Sequence, residues 1–140
     1  AQIDIAHAID KPVVIHSVGA TEDVISSVKQ HPGLKGMIHS YSGSYEQAKQ
    51  LIDLGFYISF CGAITYDNAR KLRATASDIP LASILLETDA PDQPDADHFS
   101  QRNEPAYLVN VLKCLSELRE EPIEEIAAQT TWNAQKLFNI

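Results

Sequence analysis

Four short apolar runs of strand length recur along this chain, each followed by an amphipathic stretch of helix length. The runs are Pro12-Val13-Val14-Ile15-His16, Gly36-Met37-Ile38-His39, Phe56-Tyr57-Ile58-Ser59-Phe60 and Ser83-Ile84-Leu85-Leu86-Glu87-Thr88. Near-continuous apolar strands joined by helices belong to a parallel sheet covered on both faces. The pattern predicts helices over Thr21 to Gln30, Ser44 to Leu54, Asp67 to Ala76, Glu104 to Arg119 and Pro122 to Phe138. Thr21 and Ser44 stand at N-cap positions, Gln47 completes a capping box with Ser44, Gly55 ends its helix and Pro122 opens the last one. Trp132, Leu137 and Phe138 fall at helical spacing and are expected in the core.

The fold class is therefore α/β, built from parallel β/α units. Strands start near residues 13, 36, 56 and 83, a repeat of roughly 20–27 residues that suits a doubly wound sheet and a (β/α)₈ barrel alike. A barrel needs about 250 residues and eight strands. The 140 residues form one domain, 1–140, and with four strands they are expected to make half a barrel. Ala1 to Ile9 correspondingly reads as a helix lacking its beginning. Open strand edges on such a half invite self-association.

Composition narrows the function classes. Nineteen acidic against eleven basic residues give a net charge of −8, which opposes a broad basic face for nucleic acid. No run approaches the roughly 20 apolar residues that span a bilayer. Cys61 and Cys114 are too few for a disulfide framework and fit a reducing cytoplasm. No Gly-rich phosphate loop is present.

His16 ends the first apolar run, His39 ends the second, and Asp89 follows the fourth. In parallel β/α folds the C-terminal strand ends share one face, where chemistry collects. Each residue alone reads as a polar strand terminator; three at the same end also make a divalent-metal set, since imidazole and carboxylate suit such ions. His7, His31 and His98 read as surface histidines, His98 being the one whose loop can touch substrate. Asp92, Asp95 and Asp97 lack the glycine and glutamate of a calcium loop. Cys61 has no evident base beside it and reads as a packed residue.

Three blocks, Pro12-Val13-Val14-Ile15-His16-Ser17, His39-Ser40-Tyr41-Ser42-Gly43-Ser44 and Leu86-Glu87-Thr88-Asp89-Ala90-Pro91, stand in this order. Arg102-Asn103-Glu104-Pro105 and Asn133-Ala134-Gln135-Lys136-Leu137-Phe138 follow. Together they resemble successive signature blocks of the TatD family of metal-dependent hydrolases, across nearly the whole chain. Ala63-Ile64-Thr65-Tyr66 and Glu87-Thr88-Asp89-Ala90-Pro91-Asp92 look closest to its poorly characterised bacterial members.

The resemblance implies a TIM barrel of which this chain supplies strands five to eight, with a site holding one or two divalent cations (Zn²⁺, Mg²⁺ or Mn²⁺). It makes His16 and His39 metal ligands, and Asp89 both a ligand and the catalytic carboxylate that orients or deprotonates a water. It implies a deoxyribonuclease-like hydrolase acting on DNA or a small phosphoester, with this chain carrying part of the site. The family's His-x-His and early glutamate have no counterpart here. Its arginine two residues after the first histidine is replaced by Val18, leaving Arg102 as the candidate for that charge. Two other readings stay open: a catalytically inactive fragment or interaction module derived from such an enzyme, and a complete doubly wound ligand-binding domain.

Overall fold

The computed structural model describes all residues 1–140. Its centre is a four-stranded, wholly parallel sheet of β1 (Val13–His16), β2 (Gly36–His39), β3 (Phe56–Phe60) and β4 (Ile84–Leu86). The spatial order is β1-β2-β3-β4, the order of the sequence. A doubly wound sheet reverses direction at a switch point; this one does not. β1 and β4 each pair on one side only.

The strands are joined or followed by α1 (Gln2–Ala8), α2 (Thr21–Lys29), α3 (Tyr45–Asp53), α4 (Arg70–Asp78), α5 (Leu108–Arg119) and α6 (Ile123–Phe138). One apolar cluster joins the strand positions Ile38, Phe56, Ile58, Phe60 and Ile84 to the helical Ile25, Leu51, Val111, Leu115 and Ile126. The helices thus cover one face of the sheet, not both as the apolar strands suggested. The opposite face is covered only in part: Leu137, Met37 and Leu85 form a small cluster there, while Val14 is 58% exposed. Gly36 lets β1 and β2 approach closely, since a Cβ at that position would lie 2.5 Å from the Val13 carbonyl oxygen. No helix is long and apolar enough to cross a membrane.

Local signals were partly right. Ser44 and Gln47 form the capping box, and Gly55 ends α3 at a positive φ of 87°. Thr21 is not the N-cap of α2; Ala20 is, and the Thr21 hydroxyl donates back to the Ser17 carbonyl at 3.4 Å. A 3₁₀ turn at Pro105–Tyr107 delays the start of α5 beyond Glu104, and a turn at residues 67–68 puts the start of α4 at Arg70 rather than Asp67. Of the three expected core residues of α6, only Leu137 is buried; Trp132 and Phe138 are 52% and 38% exposed. Periodicity identifies an apolar stripe, but it does not say how much of that stripe another element covers.

Two polar side chains fasten the helices, one to a neighbouring helix and one to the sheet. Arg119 Nη1 donates to the carbonyls of Ala76, Ser77 and Ile79 at 3.1, 2.8 and 2.9 Å, satisfying acceptors at and beyond the end of α4. Asn133 is fully buried on α6 and donates to the carbonyls of Leu81 and Ile84, at 2.9 and 2.8 Å, where β4 begins. Gln129 in turn donates to its Oδ1 at 2.8 Å. Asn133→Ala strands two buried carbonyls and should cost about 2–3 kcal/mol. The expected result is a lower urea midpoint with an unchanged slope, whereas exposed Trp132→Ala should shift it by less than about 1 kcal/mol.

Candidate metal centre

Parallel register places His16 directly opposite His39. Both leave the sheet on the side away from the helices, because their neighbours Ile15 and Ile38 turn toward the apolar cluster. The ring centroids lie 5.7 Å apart, tilted by 36°. His39 is the better enclosed: its side chain is 19% exposed, whereas His16 is exposed.

Carboxylates stand at both nitrogens of His39. Glu87 Oε2 is 2.7 Å from Nδ1, and Asp89 Oδ1 is 3.2 Å from Nε2. Glu87 Oε1 also accepts the Ser40 backbone N–H at 2.5 Å, so this carboxylate acts as an acceptor and Nδ1 donates to it. Nε2 then turns its lone pair toward Asp89 Oδ1, another acceptor, and two acceptors face each other at 3.2 Å. Such a pair is compatible only with a proton or a cation between them. A histidine whose far nitrogen donates to a carboxylate is the usual support of an imidazole ligand. The donor set therefore fits a divalent cation held by His39 Nε2 and Asp89, with His16 beside them. Ser59, buried on the same face of β3, has a hydroxyl without a partner in the chain. His39 and Asp89 here contact one another directly, and no three His, Cys, Asp or Glu side chains enclose a common point.

Asp89 does not directly follow its strand as expected. β4 ends at Leu86, and Asp89 lies three residues on with φ of 61°. Its carboxylate accepts a hydrogen bond from Gln93 Nε2, and Gln93 Oε1 accepts from Ser40 Oγ at 2.9 Å. Ser40 and Gln93 also have positive φ, 46° and 49°, a conformation uncommon outside glycine that clusters where a site over-determines the backbone. Glu87, Gln93 and Ser40 were not among the residues singled out in the sequence. The available signal was the alternation Glu87-Thr88-Asp89, two carboxylates on the same side of an extended segment. Nothing in the sequence marked Gln93.

The remaining candidates lie elsewhere. His31 is fastened by the Ser27 carbonyl and Asp4 at 2.9 and 2.8 Å, and His7 packs edge-on against it. Cys61 is buried against Ser40, and burial pushes its thiol up, away from the thiolate that would bind metal. His98 is more enclosed than a surface histidine: Nδ1 bonds both oxygens of Asp95 at 3.0 Å. Asp95 is thus spent within its own loop rather than in a cation site.

The family model described as "TatD related DNase" matches residues 1–139. The chain belongs to the TatD family. It is 38% identical over 141 residues to the uncharacterized metal-dependent hydrolase YabD of Bacillus subtilis, covering 99% of this chain and 55% of that protein. The uncharacterized metal-dependent hydrolase YjjV of Escherichia coli K12 is 40% identical over 140 residues, with 99% and 54% covered. The crystal structure of that TatD homolog superposes with a TM-score of 0.94 over 99% of this chain and 54% of that one. A TatD family hydrolase from Entamoeba histolytica shares the fold at 19% identity, with a TM-score of 0.77 over 91% of this chain and 50% of that one. The chain thus spans about half the length of the curated relatives it matches.

Two outcomes are expected. Glu87→Ala should weaken Zn²⁺ binding about 10- to 100-fold while the circular dichroism spectrum is retained; calorimetric titration giving equal affinities would deny Glu87 its orienting part. Burial acts to raise the Asp95 pKa, but hydrogen bonds from His98, Asn110 and the Asp97 N–H outweigh it and hold the carboxyl below its usual value. A depressed folded-state pKa gives stability that is present above the unfolded value near 3.9 and lost as pH falls through the lower folded one. Amide exchange in this loop should therefore accelerate below about pH 4 more than the helices do, and Asp95→Asn should remove the difference.

Proposed function

We propose that this chain forms strands five to eight of a TatD-type (β/α)₈ barrel and carries part of the divalent-metal centre of a hydrolase acting on phosphodiester bonds. The observation that carries this reading is His39 set between Glu87 and Asp89, beside His16, at the C-terminal ends of parallel strands. In TIM barrels that end of the strands is where active sites lie. Relatives named as metal-dependent hydrolases support it further.

The residues divide the work by their contacts. His39 Nε2 and Asp89 would be two of the ligands, with His16 beside them as the candidate third. A divalent cation bound there would lower the pKa of a water and polarise a phosphoryl oxygen. Glu87 keeps the His39 proton on Nδ1, so that Nε2 offers its lone pair. Gln93 donates to Oδ2 of Asp89 and fixes the carboxylate, so that Oδ1 is presented to the cation beside His39 Nε2 and the group as a whole would orient the attacking water. Arg102, exposed at the end of the following loop, is the candidate for a phosphate contact. The charge of −8 disfavours long tracking along DNA and favours a short substrate whose phosphate the cation neutralises.

A second reading is an inactive interaction module, favoured by the unpaired edges of β1 and β4, which pair readily with another copy or chain. The deciding assay joins this chain to the preceding half of a TatD relative. It follows hydrolysis of bis(4-nitrophenyl) phosphate with Mn²⁺ or Zn²⁺, against a chelator control. Asp89→Asn should lower the rate about 10²- to 10⁴-fold without changing the melting temperature. Near-normal turnover would leave Asp89 structural and favour the module.

A further inference from the structure

α1 contributes no buried residue. Its Ile3 and Ala6 pack only against the margin of the main apolar cluster, while Ile5 and Ile9 are 61% and 60% exposed. Seven residues are too few for a helix to hold itself in water by its own hydrogen bonds, so the contacts that seat it matter. Ile3 lines one cavity with Val13, Ile15 and His16 of β1 and Val24 of α2. α1 therefore lies along the unpaired edge of the sheet. A polar contact from His31, just beyond the end of α2, joins it there.

Both nitrogens of the His31 ring face acceptors. Nδ1 is 2.9 Å from the Ser27 carbonyl oxygen, and Nε2 is 2.8 Å from Asp4 Oδ1. Neither partner can donate, so making both hydrogen bonds takes a proton on each nitrogen, which is the imidazolium. A neutral ring keeps one bond and turns a lone pair to the other acceptor. Ser27 lies in the last turn of α2, where free carbonyls and the helix dipole also favour a cation. The Ser27 carbonyl, and after it Asp4, hold the His31 pKa above its ordinary value. Asp4 is lowered to about 2, first by the Ala1 ammonium at 2.8 Å and then by His31, so it stays charged wherever histidine titrates. Of the other groups nearby, His7 stands edge-on at 6.0 Å and Lys29 turns to Gln50. Lys35 pairs with Asp10 at 3.2 Å, in the turn after α1.

We propose that His31 is a pH-operated latch on α1, closed as the imidazolium between Ser27 and Asp4 and opened when the ring gives one proton to water. A folded-state pKa above the unfolded value near 6.5 supplies stability that is complete below about pH 6.5 and lost as pH rises through the folded value. α1 is thus seated in mild acid and loosened above neutrality. The element set free is the one flanking β1, the strand that ends in His16. The latch does not depend on the hydrolase reading, since none of its groups belongs to the strand-end donor set.

The test uses the chain with its N-terminus acetylated, which removes the Ala1 ammonium as a second group titrating near neutrality. Nitrogen-15 NMR should show both His31 ring nitrogens protonated in mild acid, with a midpoint above about 6.5. Amide exchange, corrected for its intrinsic pH dependence, is followed from about pH 5.5 to 8.5. Protection at Ile9, Asp10 and Lys11, whose N–H groups bond back into α1, should fall about two- to fivefold across that range, and α5 should not change. Asp4→Asn and His31→Leu should abolish the pH dependence. His31→Lys, charged throughout, should keep protection at the alkaline end, and His7→Gln should leave the fall as it is. A midpoint at or below about 6.5, or equal protection at both ends of the range, overturns the proposal. So does a fall that survives Asp4→Asn, or one that vanishes in His7→Gln, which would assign the titration to His7.

Discussion

A row of four isoleucines runs across the sheet. Ile15 pairs in register with Ile38, Ile38 with Ile58, and Ile58 with Ile84. The last three have no exposed surface, and all four pack on the helix-covered face. Burying a β-branched side chain of this size is worth about 1.5–3 kcal/mol, so the row strongly opposes any slip in register. Side chains alternate along a strand, and a one-residue slip would exchange the two faces. The apolar row thereby decides where the polar one lies: His16 and His39 follow Ile15 and Ile38 and must emerge together on the other face.

The polar chemistry above that row is held by a continuous chain of hydrogen bonds. Ser40 gives its N–H to Glu87 and its hydroxyl to Gln93; Gln93 donates to Asp89; Glu87 accepts a hydrogen bond from Nδ1 of His39. Asn103 closes the loop that contains Asp89 and Gln93 onto the end of β4. Each member is oriented by the next, so the carboxylate of Asp89 is placed by a loop at least as much as by its strand. Precision at the site depends on side-chain amides whose role emerges only from their partners.

The fold class and the strand positions were legible because parallel, helix-covered strands demand long apolar runs, and these runs stand out against their surroundings. Ser44 and Gln47 were legible because a capping box is closed within four consecutive residues. Thr21 misled, since its hydroxyl bonds backward to Ser17 and another residue begins the helix. Trp132 misled because helical spacing cannot tell an element's covered stripe from its open one. Glu87 was visible as an acidic residue beside Asp89, but its partner His39 is 48 positions away in the chain.

The sequence by itself determined the alternation of strands and helices, the strand ends at which His16 and His39 stand, and family membership through blocks of contiguous residues. These are local properties, carried by periodicity and by side chains adjacent along the chain. Only the tertiary structure decided that the helices gather on one face, that the sheet order never reverses, and that Glu87 and Asp89 grip His39 from either side. It also decided that Gln93 restrains Asp89 and that His31 stands between Ser27 and Asp4. The physical reason is range: hydrogen bonds and burial join groups far apart in sequence, and no local pattern records which distant partner a polar side chain meets once the backbone has folded.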